Sequence, residues 1–163
     1  IHDKYFLFLI LFVEDVMLKK TNEVIFGAYL LFIVVDHSKM LPPFFQSNEL
    51  PSGHYGYIGS AYGPGGILAR CKRHFLKNKK KHWHIDWLTT DCSKLEAIAF
   101  QNINECKIVQ NLLSIKGVKI AIKNFGNTDC ANCSSHLVQL PTNFNKKSIS
   151  FSFEEVELIH NSN

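Results

Sequence analysis

The chain has 163 residues, 46% hydrophobic and 20% charged, which suits one folded domain with an appendage and excludes a chain too polar to build a core. A formal charge of +4 and a pI of about 8.8 are only mildly basic, so bulk charge alone does not imply nucleic acid. Five cysteines are an odd number and a poor disulfide framework, which points to a reducing, cytoplasmic setting.

Residues 1–26 open with an apolar run, Tyr5 to Val13, followed directly by Glu14 and Asp15. That order and the lack of a small-residue cleavage site argue against a signal peptide. The run Val24 to Val35 is longer but short of the roughly 18 residues a membrane span needs, so no membrane partner is expected. Ile25 to Val35 reads as a buried strand, rich in aromatic and branched residues. Pro42-Pro43 and Pro51-Ser52-Gly53 break the chain, and a second strand follows from His54 to Ser60. After the turn Gly63-Pro64-Gly65-Gly66, the stripe Ile67, Leu68, Cys71 and Phe75 predicts a helix over 67–77. Residues 82–90 fit either a strand or a helix, since period cannot decide over so short a stretch. Leu95 to Phe100 reads as a short strand. A helix over 104–115 has Cys106, Val109, Leu112 and Leu113 at helical spacing and Asn104 as its cap. Val118 to Ile122 is a further short strand, residues 126–135 form a polar loop, and the alternation within 148–159 suggests an added edge strand.

The charge is clustered. Seven of the eighteen Lys and Arg residues lie between Arg70 and Lys81: Arg70, Lys72, Arg73, Lys77, Lys79, Lys80 and Lys81. With His82 and His84 close behind, such a run gains affinity for a polyanion by releasing condensed counterions, although charge runs are more often solvated faces. Upstream, three glycines in seven residues (Gly53, Gly56, Gly59) suit a strand only where something approaches its backbone closely.

Tyr57-Ile58-Gly59, a turn, and then a helix with Arg70 and His74 resemble the GIY-YIG nuclease superfamily. Gly27-Ala28-Tyr29 resembles its first signature, and Asn104-Glu105-Cys106 resembles the opening of the helix that bears its metal-binding glutamate. The nearer resemblance is to the DUF123 branch. It rests on the stretch Gly59-Ser60-Ala61-Tyr62-Gly63-Pro64-Gly65-Gly66, on His82-Trp83-His84-Ile85-Asp86, on Glu105-Cys106, and on Thr128-Asp129-Cys130 followed by Ser135-His136-Leu137. It spans residues 27–140, with 1–26 as an N-terminal extension (an added strand or the end of a preceding domain) and 141–163 as a tail. The signatures stand 28 residues apart, from Tyr29 to Tyr57, where compact nucleases place them much closer.

The resemblance implies an α/β (α+β) fold, a small antiparallel sheet flanked by helices, with a helix over 82–88. It implies a DNA endonuclease in which Tyr29, Tyr57, Arg70, His74 and Glu105 converge on one cleft. Glu105 would hold Mg²⁺ or Mn²⁺, Arg70 a phosphate oxygen, and Tyr29 or Tyr57 with His74 the attacking water. Lys72, Arg73, Lys77, Lys79, Lys80, Lys81, His82 and His84 would bind the DNA backbone. A second constellation, Cys130-x-x-Cys133-x-x-His136, is half of a zinc motif. His82, His84 or Asp86 could supply a fourth ligand only if the loop folds back, and with half of a motif present a reduced pair beside a turn is favoured over zinc. The alternatives to cutting are an inactive nucleic-acid-binding module on the same fold and a zinc-bound interaction domain.

Overall fold

The structure, a computed structural model, describes residues 24–45 and 48–149 and the backbone of 158–162. The run Tyr5 to Val13 and most of the 148–159 segment lie outside the described residues.

Alternation of apolar side chains builds a two-sided sheet. Strand β1 (Gly27–Val35) is nearly all buried because both of its faces are covered. It pairs antiparallel with β4 (Gly53–Ser60) on one side and β5 (Lys94–Gln101) on the other. A two-stranded hairpin, β2 (Lys39–Met40) and β3 (Glu49–Leu50), fills the connection between β1 and β4. Strands β6 (Lys119–Ile120), β7 (Leu137–Leu140) and β8 (Leu158–Ser162) complete a six-stranded sheet of order β6-β7-β4-β1-β5-β8, with every pairing antiparallel. Strand β8 lies at the edge of the sheet, and β6 is shorter than Val118 to Ile122.

The odd-numbered residues of β1 (Tyr29, Leu31, Ile33, Val35) face one core. Tyr55 and Tyr57 of β4, Leu95, Ala97 and Ala99 of β5, and two helices join them there. Those helices are α1 (Gly66–Phe75), contributing Ile67 and Cys71, and α2 (Asp86–Thr89), contributing Leu88. The even-numbered residues Ala28, Leu30 and Phe32 face a second core with Ile58, Ile98 and Phe100, closed by Ile108, Val109 and Leu112 of α3 (Glu105–Ser114). Leu113 stands 37% exposed, because only positions 108, 109 and 112 turn to the sheet. The fold is thus a small α+β one, with helices on both faces of an antiparallel sheet.

Side-chain bonds to the backbone fix the helix ends. Lys79 donates to the carbonyls of Arg73 (3.0 Å) and His74 (2.9 Å), satisfying the carbonyl end of α1, where a cation is favoured. Asn104 caps α3 by accepting from the Cys106 N–H at 2.7 Å. Of the helix expected over 82–88, residues 83–85 form a bend and turn and the short α2 begins only at Asp86. The Asp86 carboxylate accepts from the backbone N–H groups of His82 and Trp83, which winds the chain into a turn instead of a longer helix.

Candidate functional site

Tyr29 and Tyr57 lie on adjacent strands, on the same face, with ring centroids 6.5 Å apart. Register explains their setting. Tyr29 stands opposite Gly59, and a Cβ at Gly59 would collide with the Tyr29 ring, so only glycine lets the phenol lie across β4. Tyr57 lies against Gly126, whose φ of 73° is left-handed and whose Cβ would come within 2.6 Å of the ring. Behind Tyr29, the buried His74 places Nε2 at 2.7 Å from the phenol oxygen, while its Nδ1 has no partner among the described residues.

These two tyrosines, Arg70, His82, Trp83, His84 and Glu105 line one cleft of about 260 Å³, together with Cys130 and His136. Glu105 reaches it although α3 packs on the opposite face, because it stands in the first turn of the helix. His74 does not line the cleft but stands behind its wall, against Tyr29, Tyr57 and Trp83. The Arg70 guanidinium lies 4.7 Å from the centre of the Trp83 ring, a cation–π contact that orients it.

The rest of the basic run divides. Arg73 forms a two-pronged pair with the buried Asp86 (2.7 and 2.8 Å) and covers Trp83 at 4.0 Å. Lys77 donates to the carbonyls of Thr89 and Cys92, and Lys79 to those of Arg73 and His74 and to the Thr89 hydroxyl. Those three cations hold the protein together. Lys72, Lys80, Lys81 and His82 are exposed, and Lys81 lies over the Trp87 ring at 5.6 Å. His84 accepts from the Gly126 N–H at 3.0 Å through Nδ1.

Electrostatics set the protonation states. Burial, then Tyr57, pushes the Tyr29 phenol well above its ordinary value, and burial with Asp86 does the same to Tyr57. Burial and the nearby Lys79 pull His74 down to about 3. Burial alone would raise Asp86, but the hydrogen bonds from Arg73, His82 and Trp83 hold it well below the usual carboxylate range. At neutral pH the cleft therefore offers two protonated phenols, with the neutral His74 imidazole behind Tyr29.

At the other end of the cleft, Cys106, Cys130, Cys133 and His136 bring their ligand atoms within 4.8 Å of one another. The Cys106 and Cys130 sulfurs are 3.3 Å apart, too far for a disulfide bond. The donor set fits zinc, since three sulfurs and one nitrogen are the ligands of a closed tetrahedral site. Two further observations support the fit. Nε2 of the buried His136 has no hydrogen-bond partner among the described residues, and burial with the neighbouring thiols pushes Cys106 up, a cost that a bound cation removes. Backbone bonds shape the loop that delivers three of the ligands: Asn124 N to Ser134 O, His136 N to Phe125 O, and the Asn127 side chain to Cys133 O.

This overturns the expectation of Mg²⁺ or Mn²⁺ with zinc the lesser option. Among the described residues the one grouping of metal-binding side chains is this Cys₃His set, and Glu105 is not a member. A hard cation needs several oxygen ligands, whereas the donors gathered here are soft. The fourth member of the set is Cys106, not His82, His84 or Asp86. Its position beside Glu105 at the head of a helix was the one sequence signal for it. His84 and Asp86 are occupied by Gly126 and Arg73, while His82 lines the cleft.

Among the described residues no helix is long and apolar enough to cross a membrane. No curated protein and no solved structure matches the chain. A family model described as "Domain of unknown function DUF123" matches residues 28–158, and the chain belongs to that family.

Proposed function

We propose that this chain is a zinc-bound nucleic-acid-binding module that holds a backbone phosphate at Arg70. The observation that carries the reading is the shared cleft, which Arg70, Tyr29, Tyr57 and His82 line together with Cys130 and His136 of the thiolate cluster. A four-ligand zinc leaves no open position, so its part here is to fix the 126–135 loop against α3. Arg70 supplies a planar cation suited to phosphate oxygens, and the protonated phenols supply donors rather than bases. Exposed Lys72, Lys80 and Lys81 add the long-range attraction. Paired tyrosines on neighbouring strands, an arginine on the next helix and a glutamate opening α3 also support kinship with the GIY-YIG superfamily.

Phosphodiester cutting is the second reading, favoured by the Tyr29–His74 hydrogen bond beside Arg70. It ranks lower because burial keeps both phenols protonated and His74 is a very weak base. The test is metal content by mass spectrometry, with DNA binding measured by fluorescence anisotropy on the same preparation. One zinc per chain, lost in Cys106→Ser, and binding that weakens in Arg70→Ala are expected. A metal-free preparation that binds no DNA at low salt would sink the reading. Cleavage of supercoiled DNA by the zinc-loaded protein, lost in Tyr29→Phe, would promote the second.

A further inference from the structure

We infer that the β1–β4 connection carries a base-stacking platform, Phe44, so that the cleft takes an unpaired nucleotide from a single strand instead of a duplex. This rests on the nucleic-acid-binding reading and names the substrate class for it.

The platform is built from the core outward. Phe125 is fully buried. Phe45, 5% exposed, stacks on it with centroids 5.2 Å apart and planes at 24°. Phe44 packs against Phe45 at 4.5 Å and is 66% exposed. The His84 ring lies against all three, at 5.3 Å from Phe44, 4.8 Å from Phe45 and 5.5 Å from Phe125. His84 also lines the cleft that contains Arg70, so the exposed ring stands at the rim of the phosphate site.

The chemistry of these groups selects the ligand. A rigid aromatic ring held beside a cationic cleft is what a nucleotide needs, since the base stacks while the phosphate pairs with a guanidinium. Nδ1 of His84 accepts the Gly126 N–H, so its neutral ring carries the proton on Nε2, a donor for a base or sugar oxygen. A side-chain ring can stack only on a base whose face is free. In a duplex both faces are covered by neighbouring bases, so stacking on Phe44 favours single strands, loops or extruded bases. The long connection between Tyr29 and Tyr57, which separates this chain from compact relatives of the superfamily it resembles, thereby acquires a role: it delivers Phe44 to the cleft.

The experiment is fluorescence anisotropy on the zinc-loaded chain with three labelled probes: a single-stranded oligothymidylate, the same strand with abasic sites, and a duplex. The parent is expected to prefer the oligothymidylate. Phe44→Ala should weaken that complex by about five- to a hundred-fold, the range of one base–aromatic stack. On the abasic strand it should change nothing, and the salt dependence should keep its slope. Phe44→Tyr should restore binding, and Leu76→Ala, another exposed apolar change, should leave it alone. Equal binding of the oligothymidylate by parent and Phe44→Ala would overturn the proposal, as would a parent preference for duplex. If the parent binds no probe, the nucleic-acid reading itself fails and takes this one with it. If it binds but Phe44 is indifferent, only the platform is lost.

Discussion

Asp86 offers the sharpest test of how the cleft is held. Its side chain is fully buried. It accepts two bonds from Arg73 and one each from the His82 and Trp83 backbone, with the Lys79 ammonium 3.6 Å away. Asp86→Ala leaves a cation and two amide N–H groups without their acceptor. Removing one partner of a buried pair costs about 3–5 kcal/mol. Arg73 is 28% exposed and recovers some hydration, so the lower half of that range applies. At roughly 2–4 °C per kcal/mol for a domain of this size, the melting temperature should fall by on the order of 10 °C. Adding Arg73→Met should restore part of the loss, because the unpaired charge goes too. The folded carboxyl sits below its unfolded value, so its stabilisation is present above about pH 4 and fades as pH falls below that. Thermal melts of the zinc-loaded parent and variant should therefore differ most near neutral pH and converge in acid. A variant that melts with the parent at neutral pH, or a gap that widens in acid, would refute this account.

Tyr29→Phe removes the hydrogen bond that holds the buried His74 ring and should cost about 1–3 kcal/mol in a denaturant titration. With His74 held near 3 and an unfolded value of about 6.5, its contribution is full above about pH 6.5 and declines toward pH 3. A His74 ring that titrates near pH 6.5 by NMR would contradict this. Gly126→Ala should lower stability by about 1–2 kcal/mol through its left-handed φ and also weaken binding by displacing Tyr57. Gly117→Ala, with φ of 87° but no atom nearer than 3.5 Å, should show the stability loss alone. Neutralising Lys80 and Lys81 should reduce the slope of log affinity against log salt by about 1.4 on a single strand, while Lys79→Met should leave that slope unchanged and lower the melting temperature.

What was legible in the sequence came from period and punctuation. The continuous apolar run of β1, rich in aromatic and branched residues, and the glycine turn before α1 located the central strand and the first helix, and Asn104 marked the start of α3. The tertiary partners were not legible. Seven cations in twelve residues look alike on paper, yet Arg73, Lys77 and Lys79 turn inward because Asp86, the carbonyls of Thr89 and Cys92, and those at the end of α1 lie within their respective reach. The metal ligands were visible only in part. Cys130, Cys133 and His136 share one loop, but Cys106 lies 24 residues before Cys130, and only packing of α3 on the sheet brings it in. The helix expected over 82–88 forms only from Asp86 to Thr89, because the Asp86 carboxylate closes a turn on the backbone of His82 and Trp83; the strand alternative does not form. Phe44 carried no signal at all, since its meaning depends on His84, 40 residues later.

The cluster explains why a glutamate heads α3 without forming an oxygen site for a hard cation. Cys106 enters the cluster from the first turn, and its neighbour Glu105 is carried with it to the cleft. Three thiolates on one divalent zinc would leave that end net negative, and Glu105 and Asp129 line the same cleft. Arg70 supplies the positive side, so a phosphate is repelled at one end and attracted at the other. On the proposed reading Glu105 sets polarity from outside the Cys₃His set. Glu105→Gln should therefore keep one zinc per chain and melt with the parent to within the roughly 0.3–1 kcal/mol that a first-turn carboxylate contributes to a helix. It should bind the single strand at least as tightly, by removing a repelling charge. Metal content, melting and anisotropy on one preparation decide the matter. Loss of zinc from Glu105→Gln would make the carboxylate a ligand after all, and weaker binding would reverse the assigned polarity of the cleft.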